Sequence, residues 1–225
     1  MKQQEFLLLM LFGYPGCGKG TIVHNVKKMA EKTSDVEVIS VGLGDYFRQK
    51  ALNDINIRDV VDSGELIANS LANEAFEFLL YKAVTDYVIA TPPSQQASKV
   101  IIALDGYPRN VQQWHNFVTF VKAKRHFKVA AAFVDVPLEE IIRRAGVRRI
   151  CECGRTFVAN PNGCPDCGKV GYPRTDDVNI EKRIAVFDRE TRQVVHIAQQ
   201  LVEHQISVDG CDTKTAAEQI WQFLQ

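Results

Sequence analysis

The sequence predicts an α/β fold: a doubly wound, parallel five-stranded sheet with helices on both faces. Three observations carry this. Apolar runs alternate with longer amphipathic stretches along the 225 residues, as parallel βαβ units do when helices cover a sheet. The runs at about 6–12, 99–104 and 128–135 are almost continuously apolar, which suits strands buried on both faces. The first of them leads directly into a glycine-rich loop that opens a helix.

The elements follow in order. Phe6 to Phe12, with Lys2 before it, has the outline of a targeting signal. It is too short to span a bilayer, lacks a small-residue cleavage pattern and precedes a loop that needs a buried strand, so it is read as the first strand. A helix begins near Lys19, the second strand covers 36–40, and another helix begins near Asp45. Residues 53–90 hold two helices where one crossover would suffice, the second starting near Leu66 behind Gly64. Pro92 and Pro93 lie in a polar loop before the strand at 99–104, and a helix starts near Asn110. The strand at 128–135 is followed by a helix with Pro137 just inside its start, where proline's fixed φ and missing N–H do no harm. Residues 150–174 are rich in Gly, Cys, Pro and Asn and show no helical period. A helix near Asp177, a strand at 205–208 and a helix near Thr213 complete the chain. The expected organisation is a single domain over 1–225, with a core of 1–52, 91–149 and 175–225 and insertions at 53–90 and 150–174.

Lysine plus arginine number 27 and aspartate plus glutamate 27. No global field therefore draws the protein to nucleic acid or to an anionic membrane, and any basic site must be local. Of six cysteines, four fall between Cys151 and Cys167 as two close pairs, without a secretory pattern ahead of them. That arrangement predicts a reducing, cytoplasmic setting and a metal site rather than a disulfide framework.

Gly13-Tyr14-Pro15-Gly16-Cys17-Gly18-Lys19-Gly20-Thr21 stands between the first strand and the first helix, the context a phosphate-binding loop requires. Its glycines let successive N–H groups turn onto phosphate oxygens, the helix N-terminus adds its dipole, and Lys19 reaches the β and γ phosphates of ATP. Thr21 is placed near a magnesium ion. Cys17 occupies a variable position and is read as filler within the ATP-binding loop. A second piece closes the third strand, Val100-Ile101-Ile102-Ala103-Leu104-Asp105-Gly106-Tyr107-Pro108-Arg109. An acidic residue at the carboxyl end of a buried parallel strand lies where doubly wound sheets bind ligands, so Asp105 is the candidate for holding Mg2+ through water. Alone it would read as a solvated turn residue; beside the phosphate loop it reads as functional.

Gly-x-Pro-Gly-x-Gly-Lys-Gly-Thr followed by Asp-Gly-Tyr-Pro-Arg resembles adenylate kinases, whose second signature is Asp-Gly-Phe-Pro-Arg, and the likeness runs along nearly the whole chain. The resemblance implies an ATP-dependent nucleoside monophosphate kinase, ATP plus AMP giving two ADP, working as a monomer with Mg2+. It implies that Arg109, with Gly106 beside it, contacts the acceptor phosphate and Gln112 the acceptor base. Arg48, in Gly44-Asp45-Tyr46-Phe47-Arg48, becomes a second acceptor-phosphate ligand, and Gly64-Glu65-Leu66-Ile67 resembles the loop that packs on the acceptor base and ribose. Residues 53–90 are then the acceptor-nucleotide insertion. Arg144 and Arg148, four apart on the helix after the fourth strand, match arginines that hold ATP and its transferring phosphate. Arg174, in Arg174-Thr175-Asp176-Asp177, and Arg183 match the last two arginines of the site.

The physical demand agrees. Two nucleotide phosphates held in line need positioning and neutralisation more than covalent chemistry. The acceptor is already a phosphate oxygen, so no general base is required and none of the five histidines is assigned a catalytic role.

Cys151-x-Cys153 and Cys164-Pro-Asp-Cys167-Gly offer four thiolates suited to tetrahedral, structural Zn2+. The first pair is one residue shorter than Cys-x-x-Cys, and a metal-free or disulfide-bonded loop, or a nucleic-acid-binding ribbon, has the same spacing. The resemblance places this loop in the small zinc-ribbon lid that closes over ATP in bacterial members of the family. The acceptor segment departs from the family: Ser40-Val41-Gly42-Leu43-Gly44-Asp45 stands where adenylate members read Ser-Thr-Gly-Asp. UMP, CMP or GMP as acceptor, and a non-catalytic nucleotide-binding protein, therefore stay open as alternatives.

Overall fold

The computed structural model describes residues 4–33, 35–153 and 155–225, with only the backbone of Thr175 and Asp176. Five strands form one parallel sheet: β1 (Glu5–Phe12), β2 (Val36–Gly42), β3 (Lys99–Asp105), β4 (Phe127–Asp135) and β8 (His204–Asp209), in the spatial order β2-β3-β1-β4-β8. Central β1 pairs Leu9 with Ala103 on one side and with Ala130 on the other.

Two cores share β1. Strand side chains alternate between faces, so Leu7, Leu9 and Leu11 pack with Ile22 and Val26 of α1 (Lys19–Ala30) and Ala216 and Ile220 of α9 (Thr213–Leu224). Leu8, Met10 and Phe12 pack on the other face, against Phe76 and Leu80 of α4 (Asn69–Ala90) and Trp114 and Phe117 of α5 (Val111–Ala123). The uninterrupted apolar run is thus two interleaved period-2 patterns. Because β2-β3 extend to one side of β1 and β4-β8 to the other, the carboxyl ends of β1 and β3 flank a switch in strand order, where open α/β sheets bind ligands.

Residues 53–90 hold two helices, as expected: α3 (Ile55–Ser63), capped by Asp54, whose side chain accepts from the N–H groups of Asn56 and Ile57, and α4. The second starts at Asn69 rather than near Leu66. The preceding α2 (Leu43–Ala51) begins directly after β2.

Two expectations are corrected. The helix after β4, α6 (Leu138–Val147), stops before Arg148, whose backbone is extended at φ −70°, ψ 141°. Arg148 therefore opens β5 (Arg148–Ile150), which pairs antiparallel with β6 (Thr156–Val158) and β7 (Tyr172–Pro173) in a small second sheet. Arg144 and Arg148 do not share a helical face, and the small sheet begins two residues ahead of the expected boundary at 150. The helix expected from Asp177 is composite: a 3-10 turn (Thr175–Asn179), α7 (Ile180–Val186), a π turn (Phe187–Thr191) and α8 (Arg192–Leu201), which returns Val194 and Ala198 to the second core. Among the described residues no helix is long and apolar enough to cross a membrane.

Candidate active site

The loop between β1 and α1 carries its glycines in conformations other residues avoid. Gly16 and Gly18 sit at φ 95° and 101°, and a Cβ on Gly18 would lie 2.9 Å from the Thr213 methyl. Cys17 is fully buried beneath the loop. The Lys19 ammonium arches back to the carbonyls of Gly13 (2.9 Å) and Tyr14 (3.1 Å) and lies 4.0 Å from Asp105 at the end of β3. The parallel register that sets Leu11 beside Asp105 makes this approach possible.

A cleft of about 500 Å³ opens above this loop, within the range of nucleotide-sized sites. Its walls include Gly16, Gly18, Lys19, Gly20, Thr21 and Asp105 together with Arg48, Arg109, Arg144, Arg148, Arg174 and Arg183. The six arginines singled out in the sequence come from six separate places in the chain and reach one cavity. A smaller chamber of about 80 Å³ adjoins it, walled by Leu43, Phe47, Glu65, Leu66, Ile67, Gly106 and Gln113. Arg48, Arg109 and Arg183 belong to both walls and so stand at the junction.

Each guanidinium is aimed by neighbours. Arg144 donates to Glu140 (2.7 Å) and to the carbonyls of Cys17 (3.1 Å) and Cys211 (2.8 Å), tying α6 to the phosphate loop. Hydrogen bonds from Arg143 and then Arg144 hold the Glu140 carboxyl down to about 2, so it stays charged. Arg148 makes a two-pronged ion pair with buried Asp177, and Arg183 reaches the same carboxylate at 3.3 Å. Arg48 pairs with Asp45 one helical turn earlier. Arg109 folds back so that its Nε donates to the Gly106 carbonyl (3.1 Å), while its own carbonyl accepts from Thr191 (2.8 Å).

Gln112 is exposed, with its side-chain oxygen accepting from Asn69 at 2.9 Å, and lines neither cavity. The adjacent Gln113 is 2% exposed and faces the smaller chamber; its Oε1 accepts from the Arg109 N–H (2.8 Å) and its Nε2 donates to Asn69 (3.1 Å). The signal was present in the sequence. Asn110 caps α5 by accepting from the Gln113 N–H, and a glutamine three residues after an N-cap reaches back over the helix start. Arg143 and Arg155 also line the cleft but stand in no motif. Tyr107, in place of the signature phenylalanine, keeps its buried hydroxyl satisfied by donating to Asn73 (2.9 Å) and accepting from Asn116 (3.0 Å).

On the small sheet, Cys151, Cys153, Cys164 and Cys167 bring their sulfurs within 4.8 Å of one another, with Cys151–Cys167 at 3.4 Å and Cys153–Cys164 at 3.6 Å. Tetrahedral Zn–S bonds of about 2.3 Å place sulfurs roughly 3.8 Å apart, so this donor set fits zinc, the short Cys-x-Cys pair included. Burial pushes the Cys164 thiol up, but hydrogen bonds from the backbone N–H groups of Asp166 and Cys167, together with those from the Cys153 and Cys167 thiols, bring it down to about 7. Residues Arg155 to Val158 of the same sheet line the large cleft.

Comparison with known proteins gives the same direction. A family model described as an AAA domain matches residues 12–152. A protein named adenylate kinase from Thermotoga neapolitana is 30% identical over 201 residues, covering 83% of this chain and 83% of its own length. Adenylate kinases from Caldanaerobacter subterraneus subsp. tengcongensis and Methanothrix thermoacetophila are each 29% identical over 83% of this chain, and over 82% and 84% of their own lengths. Relatives named adenylate kinase that align over 83% of this chain, on a fold that holds a phosphate loop against an arginine-lined cleft, leave one conclusion: the chain belongs to the adenylate kinase family and is a nucleoside monophosphate kinase.

Proposed function

We propose that the enzyme transfers the γ-phosphoryl group of Mg-ATP reversibly to AMP, giving two ADP by in-line displacement. The observation that carries this is the position of Arg48, Arg109 and Arg183 on the shared wall of the two cavities, facing the Lys19 loop. Charge spreads over the transferring phosphoryl oxygens at such a junction, and fixed cations there stabilise it without reorganising. Lys19 with Arg144 and Arg148 would hold ATP and its γ-phosphate; Arg48 and Arg109 would hold the acceptor phosphate; Arg174 and Arg183 would span the two. Glu65, Leu66, Ile67 and Gln113 would enclose the acceptor base, which makes residues 53–90 the acceptor-binding insertion. Mg2+ bound with ATP would supply charge neutralisation, and Thr21 and Asp105 would hold it. The small sheet acts as a lid over ATP, stapled by a structural Zn2+ on its four cysteines.

Adenine is supported by Gln113. Because its Oε1 is committed to the Arg109 N–H, the amide presents its remaining N–H as a donor, which adenine ring nitrogens can accept. One observation favours a second reading: Leu43, which precedes Gly44-Asp45 where adenylate members carry threonine, is 3% exposed on the chamber wall. A kinase of CMP, UMP or GMP would follow if that apolar wall sets the choice. A coupled assay of the purified protein with AMP, dAMP, CMP, UMP and GMP decides the matter. AMP is expected to give the highest kcat/KM; a preference for another base moves the proposal to that substrate, and no turnover with any of them overturns it. In the same assay Asp105→Asn is expected to leave folding intact while shifting the magnesium titration to higher concentration. An unchanged titration would reduce Asp105 to a turn residue.

A further inference from the structure

The π turn at Phe187–Thr191 is used by none of the roles above, yet its side chains reach three separate parts of the site. On the phosphate-loop side, the Phe187 ring lies 4.4 Å from the Tyr14 ring, and Asp188 accepts a 2.7 Å hydrogen bond from the Tyr14 hydroxyl. Arg192, at the start of α8, donates to Asp188 and to the Tyr14 oxygen and sits 5.7 Å over the Tyr14 ring. Facing the acceptor side, buried Thr191 donates to the Arg109 carbonyl at 2.8 Å, and Arg189 donates to Glu65 at 2.9 Å. A π turn inserts one residue into the helical cycle, so neighbouring side chains fan out in directions a regular helix would not give them.

We propose that this π turn is the positioning element of the transfer reaction: it sets the phosphate loop against the acceptor arginine by gripping Tyr14 and Arg109 from one rigid helical segment. The inference rests on reading Arg109 as the acceptor-phosphate ligand. Its physical basis is the steep cost of misalignment, since a displacement of about 1 Å between reacting groups lowers rate by about a hundredfold. Neither Tyr14 nor Thr191 lines the large cleft; they act through the loop and through Arg109. Asp188 and Arg192 are 41% and 49% exposed, so their contacts with Tyr14 can align the loop while adding little to global stability.

The test is a double-mutant cycle of Tyr14→Phe and Thr191→Val in the full-length protein, with Thr191→Ser as the conservative control. Tyr14→Phe removes the bonds of its hydroxyl with Asp188 and Arg192, Thr191→Val removes the one to the Arg109 carbonyl, and each keeps the shape. Expected is a loss in kcat of about five- to tenfold for each, with KM for ATP and AMP within about twofold and Tm within about 2 °C of the parent. Thr191→Ser should recover the parent kcat. The double variant should lose little more than either single, because both contacts serve one alignment. Unchanged kcat in both singles, a loss confined to the KM of one substrate, or fully multiplicative losses would each overturn the inference. Parent turnover with AMP is measured in the same runs. A silent parent brings down the kinase reading itself, whereas an active parent with indifferent variants brings down only the role of the π turn.

Discussion

Replacing Lys19 with alanine is expected to lower kcat/KM by at least about a hundredfold, the scale of losing one preorganised donor to charge that develops in the transition state. The ammonium has only 12% side-chain exposure and is held over the loop by the Gly13 and Tyr14 carbonyls. Its orientation is therefore fixed before substrate arrives, and the interaction is not diluted by solvent. Arg109→Ala should fall on the same scale for a different reason. Arg109 belongs to the walls of both cavities, so its loss removes a cation from their junction. Neither side chain fills a core, and Tm should stay near the parent value in both. Near-normal turnover in the two variants would show that these motifs do not carry phosphoryl transfer.

The second large effect is expected at the cysteine cluster. Protein purified without added zinc should contain about one equivalent of the metal, because four thiolates with this geometry bind it through folding. The small sheet has strands of three, three and two residues. Among its described residues the buried hydrophobic ones are two of the four cysteines, Cys151 and Cys164. Without the metal, little holds it together. Cys164→Ser should therefore lose zinc and leave residues 148–174 open to proteolysis while the parallel sheet stays folded. Arg155 to Val158 would no longer close the cleft, so ATP should bind less tightly. Water would enter, and hydrolysis of ATP should rise relative to transfer. Zinc-free protein with cysteine variants as resistant and as selective as the parent would show that packing alone holds the sheet.

How much of this was legible in the sequence depended on whether the signal was local. The β1 run, the phosphate loop and Asp105 could be read because a buried strand followed by glycines declares both ends of an element at once. The arginines were found through motif positions, and their convergence on one cleft is a property of the strand order that no local pattern displays. The spacing of four between Arg144 and Arg148 looks helical even where the chain has turned extended, and the partner Arg148 meets there, Asp177, lies 29 residues away. The adjacent Gln112 and Gln113 are exposed and buried respectively, a difference set by which side of the α5 start each faces. The π turn was invisible for a related reason: residues 187–191 satisfy a helical pattern on average, and only the contacts of each side chain show the extra residue.

Asp177 bears on how the molecule could be rebuilt. Its carboxylate, with 6% side-chain exposure, is clasped by Arg148 at the entrance to the cysteine-bearing flap and by Arg183 on the helix beyond its exit. The flap is thus stapled at its neck by an ion pair that does not depend on the cysteines. A chimera that exchanged only the stretch between the two would leave this staple whole, whereas a junction cut through it would strand a buried charge, a change that costs about 3–5 kcal/mol. The usable splice sites for swapping flaps among relatives lie inside the pair, just after Arg148 and just before Asp177, and the carboxylate and its guanidiniums travel with the body.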